Sequence, residues 1–274
     1  MKVISLINMK GGVGKTTLSV NIADCLARRH NKKVLLVDID PQFNATQCLF
    51  TISQYVEHLK DGKDSIVDIF DKNTKITVST VSGANETKSK ELAKIEMVEI
   101  KDNFWTIPGN LQLYRIDMPV GEGRESKLKK YLKSNEDKYD FVIIDTPPTP
   151  SIWMTSALIA SDYYLIPTKA DPISLTGIDL LQTIVQEKKD NLDLHIKCIG
   201  VVLTIVETNT RVYKSAKQKL IKDLRWSKFL YPRELPKRTE LAAKQIDNYI
   251  LDLKDPDIKT ALVGIVDELL NRIS

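Results

Sequence analysis

Long apolar runs are missing from this sequence of 274 residues. No segment approaches the roughly 18 consecutive apolar residues that a membrane-spanning helix needs. The first apolar segment leads into a glycine-rich loop and not into a signal-peptide cleavage site, so we expect neither export nor membrane insertion. Hydrophobic residues still make up 42% of the chain, which is enough for a substantial core in one large α/β domain or two small domains.

Cysteine is also scarce. The three cysteines, Cys25, Cys48 and Cys198, lie far apart in apolar segments and form no C-x-x-C pair. Disulfide frameworks and cysteine metal sites both need more closely organised sets. The pattern therefore predicts reduced core cysteines of a cytoplasmic protein.

The chain has little excess charge of either sign, and its net charge of +4 does not by itself indicate a nucleic-acid partner. The basic residues are unevenly placed, however. Residues 195–245 contain twelve Lys or Arg against four Asp or Glu, whereas the rest of the chain has a slight acidic excess. The basic excess therefore marks one region of the protein.

Apolar runs alternate with segments of helical periodicity along the chain. Runs that are apolar on both faces are typical of strands buried in a parallel sheet, and here they occupy residues 2–8, 32–40, 139–148, 162–168 and 196–206. We therefore predict an α/β fold with a mostly parallel sheet flanked by helices on both faces. Residues 51–103 are more polar, and we interpret them as an insertion folded over the edge of a single domain that spans residues 1–274.

A glycine-rich loop, KGGVGKTT at residues 10–17, follows the first apolar run. The strict phosphate-loop pattern G-x-x-x-x-G-K-[ST] would begin with glycine where this chain has Met9. The chemistry of the loop is otherwise complete, because its N–H groups and the following helix N-terminus can bind phosphate oxygens. Lys15 can neutralise the β- and γ-phosphates, and the Thr16 hydroxyl can bind Mg²⁺. The predicted phosphate-binding residues are Gly11, Gly12, Val13, Gly14, Lys15, Thr16 and Thr17.

Carboxylates end two of the apolar runs. Asp145 ends the run FVIID, as the Walker B carboxylate of a nucleoside triphosphatase does, and Asp38 and Asp40 follow the second run. Ligands bind at the carboxyl ends of parallel strands, so we expect all three carboxylates to lie near Lys15. Of Asp38 and Asp40, one can bind the water around Mg²⁺ and the other can orient or deprotonate an attacking water.

Three motifs together, KGGVGKTT, VDIDPQFNAT and DFVIIDTPP, resemble those of the ParA/MinD group of P-loop ATPases, which carry a deviant Walker A loop. Weaker matches in the same order extend the resemblance over nearly the whole chain, at residues 107–118, 164–181, 200–204 and 231–243. The chain most resembles the ParA and Soj partition ATPases that lack an N-terminal helix-turn-helix. The resemblance implies hydrolysis of ATP to ADP and phosphate, slow without a partner.

The resemblance also implies residue roles. In that group an additional lysine reaches across a two-fold dimer to the partner's nucleotide, which assigns that role to Lys10 and makes ATP part of a homodimer interface. It further implies that Asp40 activates water, so that the catalytic set is Lys10, Lys15 and Asp40. The implied metal set is Thr16, Asp38 and Asp145, with Mg²⁺ and ATP as cofactors. The segment YPREL implies that Pro232 and Arg233 contact the adenine.

The branch within the group follows from the two ends of the chain. The sequence begins at its first strand, so we expect no N-terminal helix-turn-helix and no operator recognition. Residues 257–274 include Asp267 and Glu268 and predict a packed amphipathic helix, not a membrane-binding one. A MinD-like, membrane-associated positioning ATPase is the alternative, and a metabolic P-loop kinase is a third possibility. No cysteine set suits an iron–sulfur relative.

Residues 211–225 predict an amphipathic helix within the basic region. Its core face is expected to contain Val212, Tyr213, Ala216, Leu220 and Leu224, and its basic face Arg211, Lys214, Lys222 and Arg225. A solvated charged face is one interpretation, but the resemblance favours contact with the phosphates of nonspecific DNA. Asn209 stands where many relatives have arginine. The resemblance implies an ATP-bound dimer on the nucleoid, released when a ParB-like centromere-binding partner stimulates hydrolysis during plasmid or chromosome segregation.

Overall fold

The computed structural model of the protein describes residues 1–70, 92–116, 123–243, 246 and 249–274. Its strands are β1 (Lys2–Leu6), β2 (Val34–Asp38), β3 (Val98–Lys101), β4 (Phe104–Ile107), β5 (Phe141–Asp145), β6 (Tyr163–Lys169), β7 (Lys197–Val206) and β8 (Leu235–Pro236). They form one sheet in the order β3-β4-β2-β5-β1-β6-β7-β8. The pairing is parallel except between β3 and β4.

Most of the helices lie between strands in the sequence, and the last two follow β8. They are α1 (Lys15–His30), α2 (Asn44–Leu49), α3 (Ile52–Lys60), α4 (Ile66–Phe70), α5 (Lys127–Lys133), α6 (Ile152–Ala160), α7 (Pro172–Leu192), α8 (Arg211–Lys222), α9 (Thr239–Ala243) and α10 (Pro256–Ile273). Short 3₁₀ turns occupy some of the connections between these elements.

Helices cover both faces of the sheet because successive strand side chains point to opposite faces. In β1, Ile4 packs in a core cluster with α1 and α10, whereas Val3 packs with α4, α5 and α6 on the other face. A third cluster joins α7 and α8 to β6 and β7. Every residue of β2 and β5 is buried, which explains their uniformly apolar sequences. The structure thus confirms the predicted α/β fold.

The segment interpreted as a polar insertion, residues 51–103, contains α3, α4 and β3. Residues 71–91 of it lie outside the described residues, as do residues 117 and 118 of the weaker family match at 107–118. Helix α4 is not a polar covering, because Ile66, Ile69 and Phe70 are fully buried in the core. Strand β3 extends the sheet as an antiparallel edge strand. This part of the segment therefore belongs to the same core as β2.

Helix α10 packs along α1 and buries an apolar stripe made of Ile258, Ala261, Leu262, Ile265, Val266, Leu269 and Ile273. This is the geometry predicted for residues 257–274. Among the described residues, no helix is long and apolar enough to cross a membrane.

Candidate active site

The glycine-rich loop connects β1 to α1 and is fastened to the neighbouring strands. The side-chain amide of Asn8 donates to the carbonyl of Pro167 on β6 at 2.7 Å. The hydroxyl of Thr204 on β7 donates to the carbonyl of Val13 at 2.6 Å. Both polar side chains are buried, so these bonds are not exchanged with water and hold the loop in one position.

The loop backbone explains its glycines. Gly12 and Gly14 have φ values of 67° and 76°, a left-handed conformation that glycine adopts without strain. Gly14 directly precedes α1, whose first N–H groups have no partner within the helix. A cavity of about 640 Å³ lies against this helix start, and the predicted residues Gly11, Gly12, Val13, Gly14, Lys15, Thr16 and Thr17 line it. Such a helix N-terminus attracts anions.

The rest of the cavity wall comes from α1, from the segment after β2 and from three more distant positions. Its residues are Val20, Asn21, Asp40, Gln42, Asn44, Gln47, Cys48, Pro148, Ile205 and Leu241. Sequence reasoning identified Asp40 among them and missed the others. Ile205 and Leu241 could not be found by any local signal, because both are far from the loop in the sequence and only folding brings them to it.

Lys15 is the buried cation of the loop, with 7% of its surface exposed. Its ammonium donates to the carbonyl of Asn8 at 3.0 Å and to that of Lys10 at 3.4 Å. Burial lowers the pKa of Lys15, while the nearby charges of Asp145 and Asp40 act in the opposite direction. A cation held only by backbone carbonyls and nearby carboxylates is well suited to an incoming phosphate.

Asp145, at the end of β5, is fully buried beside the start of α1. Its two carboxylate oxygens each accept a hydroxyl hydrogen bond at 2.8 Å, one from Thr16 and one from Ser19. Burial raises the pKa of Asp145, and these two hydrogen bonds lower it in part. The predicted pair of Thr16 and Asp145 is therefore in contact. Ser19 was missed, although its position one helical turn after Thr16 was a usable signal.

Asp38 is fully buried and lies beside Asp145 in the sheet register. One of its oxygens accepts from both the backbone N–H and the hydroxyl of Thr46 at 2.7 Å, and the other accepts from the N–H of Asp40 at 3.3 Å. Burial is the main cause that raises the pKa of Asp38, and the Asp145 charge adds to it. Asp38 thus faces α2 and is not part of the cavity wall.

Thr46 connects three segments around Asp38. Its hydroxyl donates to Asp38 and accepts from the N–H of Gly109 at 2.7 Å, and the side chain is buried. A side chain at position 109 could not fit, because its Cβ would lie 2.8 Å from the Asp38 Cγ. The Asp38 carboxylate therefore ties the end of β2 to α2 and to the segment after β4.

We predict that Thr46→Val lowers the free energy of unfolding by about 2 kcal/mol, because it leaves the buried N–H of Gly109 without a partner. Urea unfolding measures the change. Thr46→Ser is the matched control, since it keeps the hydroxyl and should cost less than about 1 kcal/mol. Equal destabilisation by both variants would show that loss of the methyl group costs as much as loss of the hydroxyl, and that the hydrogen bonds do not dominate at this position.

Asp40 lies in the cavity wall and is almost completely buried. One carboxylate oxygen accepts from the N–H of Gln42 at 2.9 Å. Burial raises the pKa of Asp40, and the hydrogen bond from Gln42 and the charge of Lys15 partly offset that effect. A buried carboxylate that faces the cavity and has a raised pKa can accept a proton from a bound water.

Lys10 leaves the loop in another direction and does not line the cavity. Its ammonium bonds to the carboxylate of Asp171 at 3.2 and 3.3 Å and to the hydroxyl of Ser174 at 3.0 Å. Asp171 also caps α7 by accepting from the N–H of Ser174. The Lys10 side chain is 37% exposed. Lys10 therefore lies at the rim of the loop, where the start of α7 holds it.

The residues present fit a magnesium ion that shares its ligands with a bound nucleotide. Within the described ranges, the chain contains no group of three or more His, Cys, Asp or Glu that could hold a metal alone. Mg²⁺ typically takes one or two protein oxygens and completes its shell with water and phosphate. Thr16 and Asp145 offer such oxygens at the start of α1.

Pro232 and Arg233, which the resemblance placed at the adenine, are exposed and lie outside the cavity wall. They line instead a separate cavity of about 720 Å³ between the segment after β7 and α10. The stem of Arg233 crosses α10 at Gly264, where an added Cβ would lie 2.7 Å from the Arg233 Cγ. Contact between these two residues and adenine stays a prediction.

Helix α8 forms within the predicted range but is shorter. Its buried residues are Tyr213, Ala216 and Leu220, as predicted. The prediction was wrong for Val212 and Leu224, which are 53% and 89% exposed. The reason for Leu224 is that α8 ends at Lys222, where Asp223 takes an extended conformation.

The basic face of α8 is correspondingly smaller. Arg225 was assigned to it incorrectly, because it lies beyond the helix and pairs with Asp223 at 2.9 Å and Asp179 at 3.4 Å. The remaining three basic residues are on α8, are exposed, and form no ion pair with any residue the structure describes: Arg211, Lys214 and Lys222.

Comparisons with known proteins identify the family of this chain. A family model described as an AAA domain matches residues 1–198. The sporulation initiation inhibitor protein Soj of Bacillus subtilis is 32% identical over 264 residues, which cover 96% of this chain and 94% of Soj. The cell division protein PomZ of Myxococcus xanthus is 30% identical over 272 residues, covering 97% and 77% of the two chains.

Among solved structures, a plasmid partition protein of Borrelia burgdorferi with bound AMPPNP has a TM-score of 0.75 and 26% identity. The match covers 99% of this chain and 98% of that one. These findings confirm the resemblance drawn from the three sequence motifs. The chain belongs to the ParA/MinD-like family of P-loop ATPases, among the relatives of Soj and the ParA partition proteins.

Proposed function

We propose that this protein is a ParA-like partition ATPase that binds ATP and Mg²⁺, dimerises with ATP and then holds nonspecific DNA. The observation that carries the proposal is the convergence of Lys15, Thr16, Asp40 and Asp145 on one helix start, while Lys10 remains at the rim. The names of the relatives include plasmid partition, cell division and sporulation proteins, so the proposal covers both plasmid and chromosome as cargo.

The residues divide the hydrolysis among them. The loop N–H groups and Lys15 bind and neutralise the phosphates. Thr16 and Asp145 would hold Mg²⁺, which neutralises charge on the β- and γ-phosphate oxygens when it is bound. Asp40 orients the attacking water and accepts its proton. Asp38 fixes the backbone that carries Asp40, through the bond from the Asp40 N–H.

Lys10 couples the nucleotide to dimerisation. In the described chain its ammonium is held by Asp171 and Ser174. If Lys10 instead binds the γ-phosphate of the ATP held by a partner subunit, the ATP-bound dimer gains a charge-assisted contact that is lost after hydrolysis. A ParB-like partner that speeds hydrolysis would then return the protein to its monomeric form.

The test is binding to a 60-base-pair duplex of arbitrary sequence with ATP, with ADP and without nucleotide, over a salt series. We expect binding with ATP that weakens steeply as salt increases. Anionic liposomes form the parallel arm: liposome binding without DNA binding would instead support a MinD-like positioning ATPase. Equal DNA binding with ATP and ADP would contradict the proposed switch.

We predict that replacing Arg211, Lys214 and Lys222 together by glutamine weakens ATP-dependent DNA binding. Each lost phosphate contact lowers the slope of log K against log salt by about 0.9, so the slope should fall by roughly 2 to 3. The matched control replaces three exposed lysines of a helix that packs in a different core cluster from α8 by glutamine, namely Lys129, Lys130 and Lys133 on α5. A variant on α8 that binds like the control would show that α8 is a solvated face.

A further inference from the structure

A groove between α1 and α10, which we call the α1–α10 groove, has a volume of about 550 Å³. It shares no wall residue with the phosphate-loop cavity. Four of its wall residues are basic, Arg28, Arg29, Arg233 and Lys259, and one is acidic, Asp267. A small-molecule pocket is usually lined mainly by apolar residues, so this composition indicates a different kind of ligand.

Three of these cations are available to a ligand. Arg28 is already engaged, since it pairs with Asp24 at 3.3 Å and with Asp252 at 2.8 Å. In contrast, no ion pair within the described part of the chain involves the remaining basic wall residues, which are Arg29, Arg233 and Lys259. The single acidic wall residue lies beside the His30 ring, at 3.4 Å.

The Arg233 side chain packs closely against Gly264 in the wall of the groove. A Cβ at this position would lie 2.7 Å from the Cγ and 3.4 Å from the Nε of Arg233. The arginine stem therefore occupies the space that a side chain at position 264 would fill. Thr260 precedes Gly264 by one helical turn and adds a hydroxyl to the same wall. The absence of a side chain at position 264 thus lets the guanidinium lie along the groove.

The groove continues toward α8. The neighbouring cavity of about 720 Å³ shares Arg233 and Thr260 with it and extends to Thr208 and Asn209, just before α8 begins. Cations separated along a surface, with a hydroxyl among them, match the contacts that proteins make with the phosphates of a nucleic-acid backbone. The continuity with α8 favours a long duplex over a small anion.

We propose that the α1–α10 groove is a second contact surface for duplex DNA, in which Arg29, Arg233 and Lys259 bind backbone phosphates. The proposal rests on the DNA binding proposed above and extends that surface from α8 across the segment after β7 to α1. The proposal also assigns a ligand to Arg233, which lines this groove. Because no base edge is needed, the contact is independent of sequence.

The test replaces Arg29, Arg233 and Lys259 together by glutamine and measures ATP-dependent binding of the arbitrary 60-base-pair duplex over the salt series. We expect about tenfold weaker binding or more, and a salt slope lower by roughly 2 to 3. The triple variant of α5 is the control for general loss of positive charge. Wild-type affinity and slope in the groove variant would overturn the proposal.

A second variant, Gly264→Ala, keeps every charge and adds one methyl group against the Arg233 stem. Alanine is favoured over glycine inside a helix, so loss of the fold is not the expected outcome. We expect weaker DNA binding, and we expect the effect of Gly264→Ala to disappear when Arg233→Gln is already present. An effect of Gly264→Ala that is the same in both backgrounds would overturn the role of Arg233.

The outcomes separate the two proposals. If the wild-type protein fails to bind DNA with ATP, both the proposed function and this surface are wrong. If the wild-type protein binds DNA and the α8 variant is weakened while the groove variants are not, the proposed function stands and only the α1–α10 groove is refuted.

Discussion

Lys15→Ala is expected to abolish ATP binding at micromolar protein concentrations. Lys15 is the buried cation of the loop, and its ammonium bonds to two backbone carbonyls while it waits for phosphate. Removing one partner of a buried charged contact costs about 3 to 5 kcal/mol, which corresponds to a loss in affinity of roughly 100-fold to 4,000-fold. Titration with a fluorescent ATP analogue measures this loss, and circular dichroism verifies that the variant is folded.

Lys10→Ala is the matched control for this prediction, since it removes the other lysine of the same loop. Lys10 does not line the cavity, and its carbonyl, which bonds Lys15, is retained in the variant. We expect near-normal ATP binding by the monomer together with loss of ATP-dependent dimerisation, measured by sedimentation velocity. If both variants lost ATP binding equally, Lys10 would be a ligand within its own subunit and the proposed division of roles would be wrong.

The parts of the structure that sequence predicted are those encoded locally. Strands β2 and β5 are buried along their whole length, and their uniformly apolar sequences show it directly. The phosphate loop was also readable, because its glycines, Lys15 and Thr16 are consecutive and their conformation depends on neighbours in the chain. Asp145 was found because it is the carboxylate that directly ends a buried apolar strand.

The contacts that sequence did not predict join distant segments. Lys10 and Asp171 are 161 residues apart, so no local pattern could place them in contact. The bond from Thr46 to the Asp38 carboxylate depends on how α2 turns back over β2. The early end of α8 depends on a single residue, Asp223, whose side chain bonds Arg225 and its N–H. The helical periodicity of the sequence continues past Asp223, and so the predicted basic face of α8 wrongly included Arg225.

Arg233 shows how packing decides where an exposed side chain lies. The segment YPREL was matched to a block that contacts adenine, but the position of an exposed side chain depends on what packs beside it. Here α10 presents Gly264, and the arginine stem lies over that gap. The backbone just before Arg233 is held to the sheet, since the N–H of Tyr231 bonds to the carbonyl of Val201 in β7 at 2.9 Å. The Arg233 side chain lies over Gly264 and lines the α1–α10 groove.

Asp40→Ala is expected to trap an ATP-bound dimer. General-base catalysis contributes about 100-fold to 10,000-fold to a rate, so single-turnover release of phosphate should slow by that factor. The phosphate ligands are untouched by this change, since the loop N–H groups and Lys15 belong to another segment. ATP affinity should therefore persist, and sedimentation velocity should show a dimer that outlives the wild-type dimer after the ATP supply is removed.

Asp40→Asn separates the chemical role of Asp40 from its structural role. The amide oxygen can still accept from the N–H of Gln42, as the carboxylate does at 2.9 Å, so the turn after β2 should keep its shape. An amide cannot take a proton from water at neutral pH, and we expect hydrolysis as slow as in Asp40→Ala. Fast hydrolysis in Asp40→Asn but not in Asp40→Ala would mean that the residue positions water without accepting its proton. Wild-type rates in both would assign the activation of water to another group of the cavity.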